Sequence, residues 1–353
     1  MNILITGGCG FVGSSLAILL KKKYPDYSIT CFDNLKRRGS ELNITRLRDM
    51  DIRFVHGDIR IITDLDEIGH IDLLIEAAAE PSVLAGLNEG TNYVVETNLN
   101  GTVNCLNYAR KHKAKFIFLS TSRVYPIERI DSANFIKKET RFAWTNEQRE
   151  TGISKKGVSE ELSLVGYRSL YGSTKLSSEL LINEYHHMFG LETLINRCGV
   201  ITGPYQMGKV DQGVVVLWAA RHFWKKELAY IGYGGTGKQV RDILHINDLF
   251  QLIDYQIQNF SSLNGEMYNV GGGIECSISL LELTKICQEI IGNTIDIVPV
   301  KDTRSADLRI YVTDNTKITK KTGWKPKSNP QEIITDIFEW IKRDEKILNK
   351  ILN

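Results

Sequence analysis

The feature that most constrains this chain is a glycine turn directly behind a short apolar run. Ile3 to Thr6 is followed by Gly7-Gly8-Cys9-Gly10-Phe11-Val12-Gly13, and Phe11 to Lys23 then carries helical apolar spacing through Leu16, Leu19 and Leu20. Strand, glycine turn and helix in immediate succession make the first unit of a parallel, doubly wound sheet. Glycines at the spacing of Gly7, Gly10 and Gly13 allow a tight turn, a close backbone approach to a pyrophosphate, and tight helix–strand packing. Unpaired N–H groups at the start of the helix face the same point. A glycine triplet alone is weak evidence; its place between a strand and a helix gives it weight.

The rest of the first half keeps this alternation. Ser28 to Phe32 and Ile52 to His56 read as strands, Ile71 to Ala79 and Lys115 to Ser120 as strands buried on both faces, and Val94 to His112 as a helix. Arg168 to Phe189 is a second long helix stopped by Gly190, and Leu194 to Cys198 a further strand. Beyond about residue 200, glycine-rich loops such as Gly232 to Gly237 alternate with short elements. The expected architecture is α/β: a Rossmann-type dinucleotide domain over 1–190 and a smaller α+β lobe over 204–353. Segments near 191–203 and 240–275 are expected to return to the main sheet.

Asp33 ends the second strand, about 20 residues after the glycine turn, where a carboxylate accepts hydrogen bonds from ribose hydroxyls and repels a 2′-phosphate. The pattern therefore favours NAD over NADP. Asn34, Asp58 and Ile59 at the next strand ends, and Ala77-Ala78-Ala79 after the apolar run, complete the expected cofactor lining with Phe11 and Val12. Tyr171 and Lys175 form Y-x-x-x-K at the start of a helix, a spacing that shares one face. A phenol titrates at about 10; a neighbouring ammonium favours the phenolate and makes it a usable base. Ser120-Thr121-Ser122 supplies hydroxyls at a strand end, where capping is the bland alternative.

The bulk numbers exclude several classes. With 353 residues, 42% hydrophobic, 24% charged and a net charge of +2, no field argues for nucleic acid or membrane partners. Six cysteines without a C-x-x-C read as buried thiols, and an apolar run starting at residue 3 leaves no room for a leader, so a cytoplasmic location is expected. No metal is expected: His186 and His187 are adjacent on a helix and do not share a face.

Together the glycine turn, Asp33, the Ser-Thr-Ser strand end, Tyr171 and Lys175 resemble the extended short-chain dehydrogenase/reductase family, whose members act mainly on nucleotide sugars. The resemblance covers nearly the whole chain. It implies Thr121, Tyr171 and Lys175 as catalytic residues, Thr121 because it lies four residues before Tyr125, and it places Asn98 near the nicotinamide. It gives Arg241, in Arg241-Asp242-Ile-Leu-His245, and Arg304, in Arg304-Ser-Ala-Asp307, to the nucleotide diphosphate. Dehydratases of the family carry two acids after that threonine; here Ser122 and Arg123 stand in their place and are expected to face the substrate. Val200 stands where many relatives hold phosphate with an asparagine, so Gln206, Lys209 and Gln212 are the expected replacements. The longer strings Asn196 to Gly213, Ser120 to Pro126 and Gly166 to Gly172 are similar to a branch that inverts C2 of CDP-linked dideoxy sugars. That likeness implies a CDP-sugar substrate and NAD recycled within each turnover, with 4-epimerisation of a UDP-sugar and non-catalytic NAD sensing as alternatives. It also implies a homo-oligomer, dimer or tetramer, assembled through the two long helices. The charged insertion between Tyr125 and Tyr171, containing Trp144, is expected to act as a lid.

Overall fold

The computed structural model describes residues 1–87, 90–208 and 212–352. The chain divides into two compact units. The first comprises Met1–Val124, Ser169–Arg197 and Phe250–Tyr268; the second comprises Tyr125–Arg168, Cys198–Leu249 and Asn269–Asn353.

The first unit is built on the expected sheet. Strands β1 (Asn2–Thr6), β2 (Ser28–Asp33), β3 (Arg53–His56), β4 (Leu73–Glu76) and β5 (Lys115–Thr121) pair in parallel, β1 lying between β2 and β4. The full seven-stranded order is Met267–Val270, Thr193–Cys198, β5, β4, β1, β2, β3. The order reverses beside β1, which is where open α/β sheets bind ligands at the strands' carboxyl ends. Leu4, Leu74, Phe116 and Phe118 on one face pack with Leu106, Ala109 and Ile182 from helices Gly101–His112 and Leu170–Phe189.

The segment Val94 to His112 read from the sequence is helical, and it contains a π turn at Glu96–Asn100, between α-helical Thr91–Val95 and Gly101–His112. Such single wide turns inside α-helices are often found at functional sites. All six cysteines are buried thiols. Among the described residues no helix is long and apolar enough to cross a membrane, and no cluster of potential metal ligands occurs.

In the second unit, Val200–Thr202 pairs in parallel with Val240–His245, which also pairs with Ser277–Ser279 and Ile310–Tyr311. Of the segments expected to return to the main sheet, Thr193–Cys198 and Met267–Val270 are strands of it, while residues 199–203 and 240–249 group with this second unit. Segment 125–168, assigned from the sequence to the dinucleotide domain, also lies in the second unit. The reason is packing. The hairpin Phe135–Lys137 with Phe142–Trp144 places Phe142 against Val240, Ile310 and Val312. Arg141 adds hydrogen bonds to both carboxylate oxygens of Glu282 at 2.8 and 3.0 Å through Nε, and to the Ser277 carbonyl at 2.8 Å. Within this unit the hairpin expected as a lid is a packed and ion-paired element.

Candidate active site

The glycine turn is held by steric necessity. A Cβ on Gly13 would lie 2.3 Å from the Gly7 carbonyl oxygen. Gly7 has φ +66°, and a Cβ there would meet the Ala77 and Ala78 backbone at 2.8 Å. Gly8, which the G-x-x-G-x-x-G spacing passes over, is equally confined: its Cβ would lie 2.4 Å from that of Cys31. Phe11 opens the helix, and its Gly10 cap makes no side-chain bond that would close off the leading N–H groups. This is a cradle whose open surface is backbone, which is what a pyrophosphate needs.

Asp33 is fastened beside the cradle. Its carboxylate accepts the Cys9 N–H at 3.0 Å and the Leu35 N–H at 2.8 Å. Burial raises its pKa, while these amides and Gly10 oppose the rise. Asn34 Nδ2 donates to Asp58 at 2.9 Å, and Arg60 Nη2 donates to the same oxygen at 2.6 Å. Burial alone lifts the Asp58 carboxyl, but Arg60 and Asn34 outweigh it and hold it at about 2. Asn43 is buried and donates to the Cys9 carbonyl at 2.8 Å, so it secures the turn from behind. Ile59 is buried and its carbonyl accepts Asn104 Nδ2. The Ala77 N–H joins the Thr6 carbonyl, and Ala77 to Ala79 run past Gly7.

Asn98 sits inside the π turn and is buried. Its Oδ1 accepts the Glu80 N–H at 2.7 Å, and its Nδ2 donates to the Glu80 carbonyl at 3.0 Å and to Thr174 at 3.3 Å. The Asn98 side chain thus clamps the loop after Ala79 to the helix bearing Tyr171.

That helix begins with Ser169, whose hydroxyl accepts the Gly172 N–H at 3.2 Å. Tyr171 stands in its first turn, and Lys175 follows one turn later on the same face. Both are buried, and Lys175 Nζ lies 3.7 Å from the Phe118 ring centroid. Thr121 ends β5, and its Oγ1 accepts the Arg123 N–H at 3.2 Å across the Ser122–Val124 turn. One unit thus carries the cradle, Asp33, the Thr121–Arg123 turn, Tyr171 and Lys175.

The second unit carries the other expected residues. Arg241 donates to Asp307 at 2.7 Å, joining the two sequence motifs that contain them, while Arg304 lies in the turn before Asp307. Asp242 is fully buried and accepts the Gly273 N–H at 3.0 Å, so it serves the fold. Gln206 donates to the Ile201 carbonyl at 3.0 Å and accepts from Thr202 at 2.9 Å. Its amide closes its own turn, and only the second Nε2 hydrogen is left for the phosphate contact expected of it. Gln212 precedes helix Val214–Phe223 by two residues. Lys209 lies outside the described residues.

Residues 3–271 match the NAD dependent epimerase/dehydratase family. The chain belongs to that family. It is an enzyme that uses NAD, and the glycine cradle with Asp33 fits that cofactor. A curated relative, the CDP-paratose 2-epimerase of Salmonella typhi, is 31% identical over 350 residues, spanning 96% of this chain and 99% of the relative. A solved structure of UDP-glucose 4-epimerase with UDP-glucose from Thermotoga maritima superposes with a TM-score of 0.77 at 26% identity, covering 98% of this chain and all of that one. The dTDP-glucose 4,6-dehydratase of Bacillus anthracis in complex with NAD gives 0.76 at 26% identity, with both chains fully covered.

Proposed function

We propose that the enzyme inverts C2 of a CDP-linked dideoxy sugar, interconverting CDP-paratose and CDP-tyvelose. The observation that carries this reading is the Thr121-Ser122-Arg123 turn together with the full-length similarity to a CDP-paratose 2-epimerase. A dehydratase needs an acid and a base to expel water, and neither Ser122 nor Arg123 supplies them.

Bound in the cradle, NAD supplies a hydride acceptor and, later in the same turnover, a hydride donor. The protein supplies the proton chemistry. Tyr171, as phenolate beside the Lys175 ammonium, takes the C2 hydroxyl proton, while the Thr121 hydroxyl holds the same oxygen. The resulting 2-keto sugar turns over while Arg241 and Arg304 hold the nucleotide diphosphate, a task suited to fork-shaped guanidiniums. Tyr171 then returns its proton to the oxygen of the inverted centre. No residue needs to remove a proton from C2 itself.

The test is incubation with CDP-paratose in heavy water, followed by NMR at C2. Formation of CDP-tyvelose without deuterium at C2 is expected; deuterium there overturns internal hydride return. The similarity to a UDP-glucose 4-epimerase structure favours a second reading, 4-epimerisation, and turnover of UDP-glucose in place of CDP-paratose selects it. The same proposal includes a homo-oligomer, since Leu180, Met188 and Phe189 are exposed on helix Leu170–Phe189. Light scattering at the mass of a single chain would remove that part.

A further inference from the structure

Glu76 is the last residue of β4 and is 0% exposed, so it cannot touch a bound molecule. It lies in register with Thr6 on β1 and with Phe118 on β5. Register partners on parallel strands project from the same face of a sheet. The Phe118 ring carries Lys175 Nζ above it at 3.7 Å, so Glu76 and Lys175, itself 1% exposed, share that face. Lys175 acts electrostatically on Glu76, and both act on the buried Cys105 thiol of the neighbouring helix.

The proton count around Glu76 is informative. Thr102 Oγ1 lies 2.6 Å from Glu76 Oε1 and 2.9 Å from the Asn98 carbonyl oxygen in the π turn. A hydroxyl has one hydrogen. If Glu76 is a carboxylate, that hydrogen must serve two acceptors. If Glu76 is an acid, it donates to Thr102, Thr102 donates to Asn98, and both contacts are satisfied. Glu76 Oε2 is buried without a hydrogen-bond partner, a poor place for half of an anion. Burial also pushes the carboxyl well above the usual carboxylate range, against the pull of Lys175 and Thr102.

We infer that Glu76 is a positioning residue for the proton transfer: held as a neutral acid on the sheet face that carries Lys175, it leaves the ammonium to act on Tyr171, and on ionising it opposes that action. Protonated, Glu76 favours the Tyr171 phenolate. Ionised, it offsets the Lys175 charge and makes Tyr171 harder to deprotonate. Charged or titratable groups reach Glu76 from the Leu170–Phe189 helix as Lys175 and from the Gly101–His112 helix as Cys105. Thr102 contacts its carboxyl, and Thr6 and Phe118 flank it in register on the adjoining strands. The titrations of Glu76 and Tyr171 are therefore coupled, and the Tyr171 ionisation is spread over a wide pH span.

The inference rests on the reading of Tyr171 and Lys175 as the catalytic pair, and the test separates the two. In the NAD-loaded enzyme, Tyr171 ionisation is read from phenolate ultraviolet absorbance, with Tyr171→Phe as the blank. Glu76→Gln keeps the shape and cannot ionise, so the Tyr171 midpoint should fall by about one pH unit and sharpen. The acid limb of the kcat profile should move with it, and Glu76→Asp should restore the wild-type midpoint. An unchanged midpoint in folded Glu76→Gln overturns the inference. Should that variant not fold, infrared difference spectra of the wild type decide: a protonated carboxyl stretch at neutral pH that shifts in Glu76→Asp supports it, and a carboxylate from the start overturns it. Undiminished turnover by Tyr171→Phe would instead overturn the catalytic pair and leave the infrared result standing.

Discussion

Arg197 donates to both carboxylate oxygens of Glu179, with contacts at 2.7, 3.0 and 3.1 Å, and both side chains are 3% exposed. Glu179 also accepts from Ser120, the residue before Thr121, and sits one turn beyond Lys175. One buried pair therefore ties the strand end carrying Thr121 to the helix carrying Tyr171 and Lys175. Removing one partner strands a buried charge, so Arg197→Leu should destabilise by about 3–5 kcal/mol, read from urea midpoints. The double variant Arg197→Leu/Glu179→Leu should recover part of that loss, because no lone charge remains.

Tyr171→Phe removes the proton acceptor and little else. Turnover should fall by at least about 10²-fold. The NAD released on denaturing the purified variant should match that from the wild type, because the cradle and Asp33 are untouched. Loss of cofactor along with activity would assign Tyr171 a binding role.

Gly13→Ala places a methyl group 2.3 Å from the Gly7 oxygen, so the cradle must open. Retained NAD should fall sharply, while secondary structure by circular dichroism stays near that of the wild type. Gly69→Ala is the control: a Cβ there meets nothing within 4 Å, although φ is +92°. It should cost some stability and leave cofactor content unchanged.

His222 gives a pH dependence with a definite sign. Burial lowers its pKa from the ordinary 6.5, with its contact to the Trp218 carbonyl opposing the change. The unfolded chain therefore binds a proton that the folded chain resists. This contribution to stability is fully present above pH 6.5 and is lost as pH falls from there toward the folded pKa. Thermal midpoints should drop between pH 7 and pH 5, and His222→Leu should flatten that slope even if it lowers the plateau. His245, also buried with a lowered pKa, keeps a residual slope in the variant.

What the sequence makes legible is what sterics or period dictate. Gly7 and Gly13 can be read because no other residue fits, and Tyr171 and Lys175 because four-residue spacing puts them on one helix face. Asp33 is readable from its distance along the chain. Glu76 is not, since it sits in an apolar run and its meaning depends on Phe118, Thr102 and Lys175, which arrive from three other elements. Gln206 is only half legible: the sequence shows its polar amide, but not that the same amide also closes its own turn through Ile201 and Thr202. Where segment 125–168 groups is not legible, because chain proximity suggests the first unit, whereas Phe142 and Arg141 find their partners far along the sequence.

The π turn at Glu96–Asn100 has one more consequence. It accommodates one residue more than the α-helical turns on either side. Removing a single residue there would return the turn to α-helical spacing and leave the helical segments on either side in their present phase. What changes is the turn itself: deleting Asn98 removes both bonds that clamp the loop at Glu80. The extra residue is an insertion the helix absorbs locally, so a one-residue deletion there should leave the fold standing while loosening the loop the turn holds.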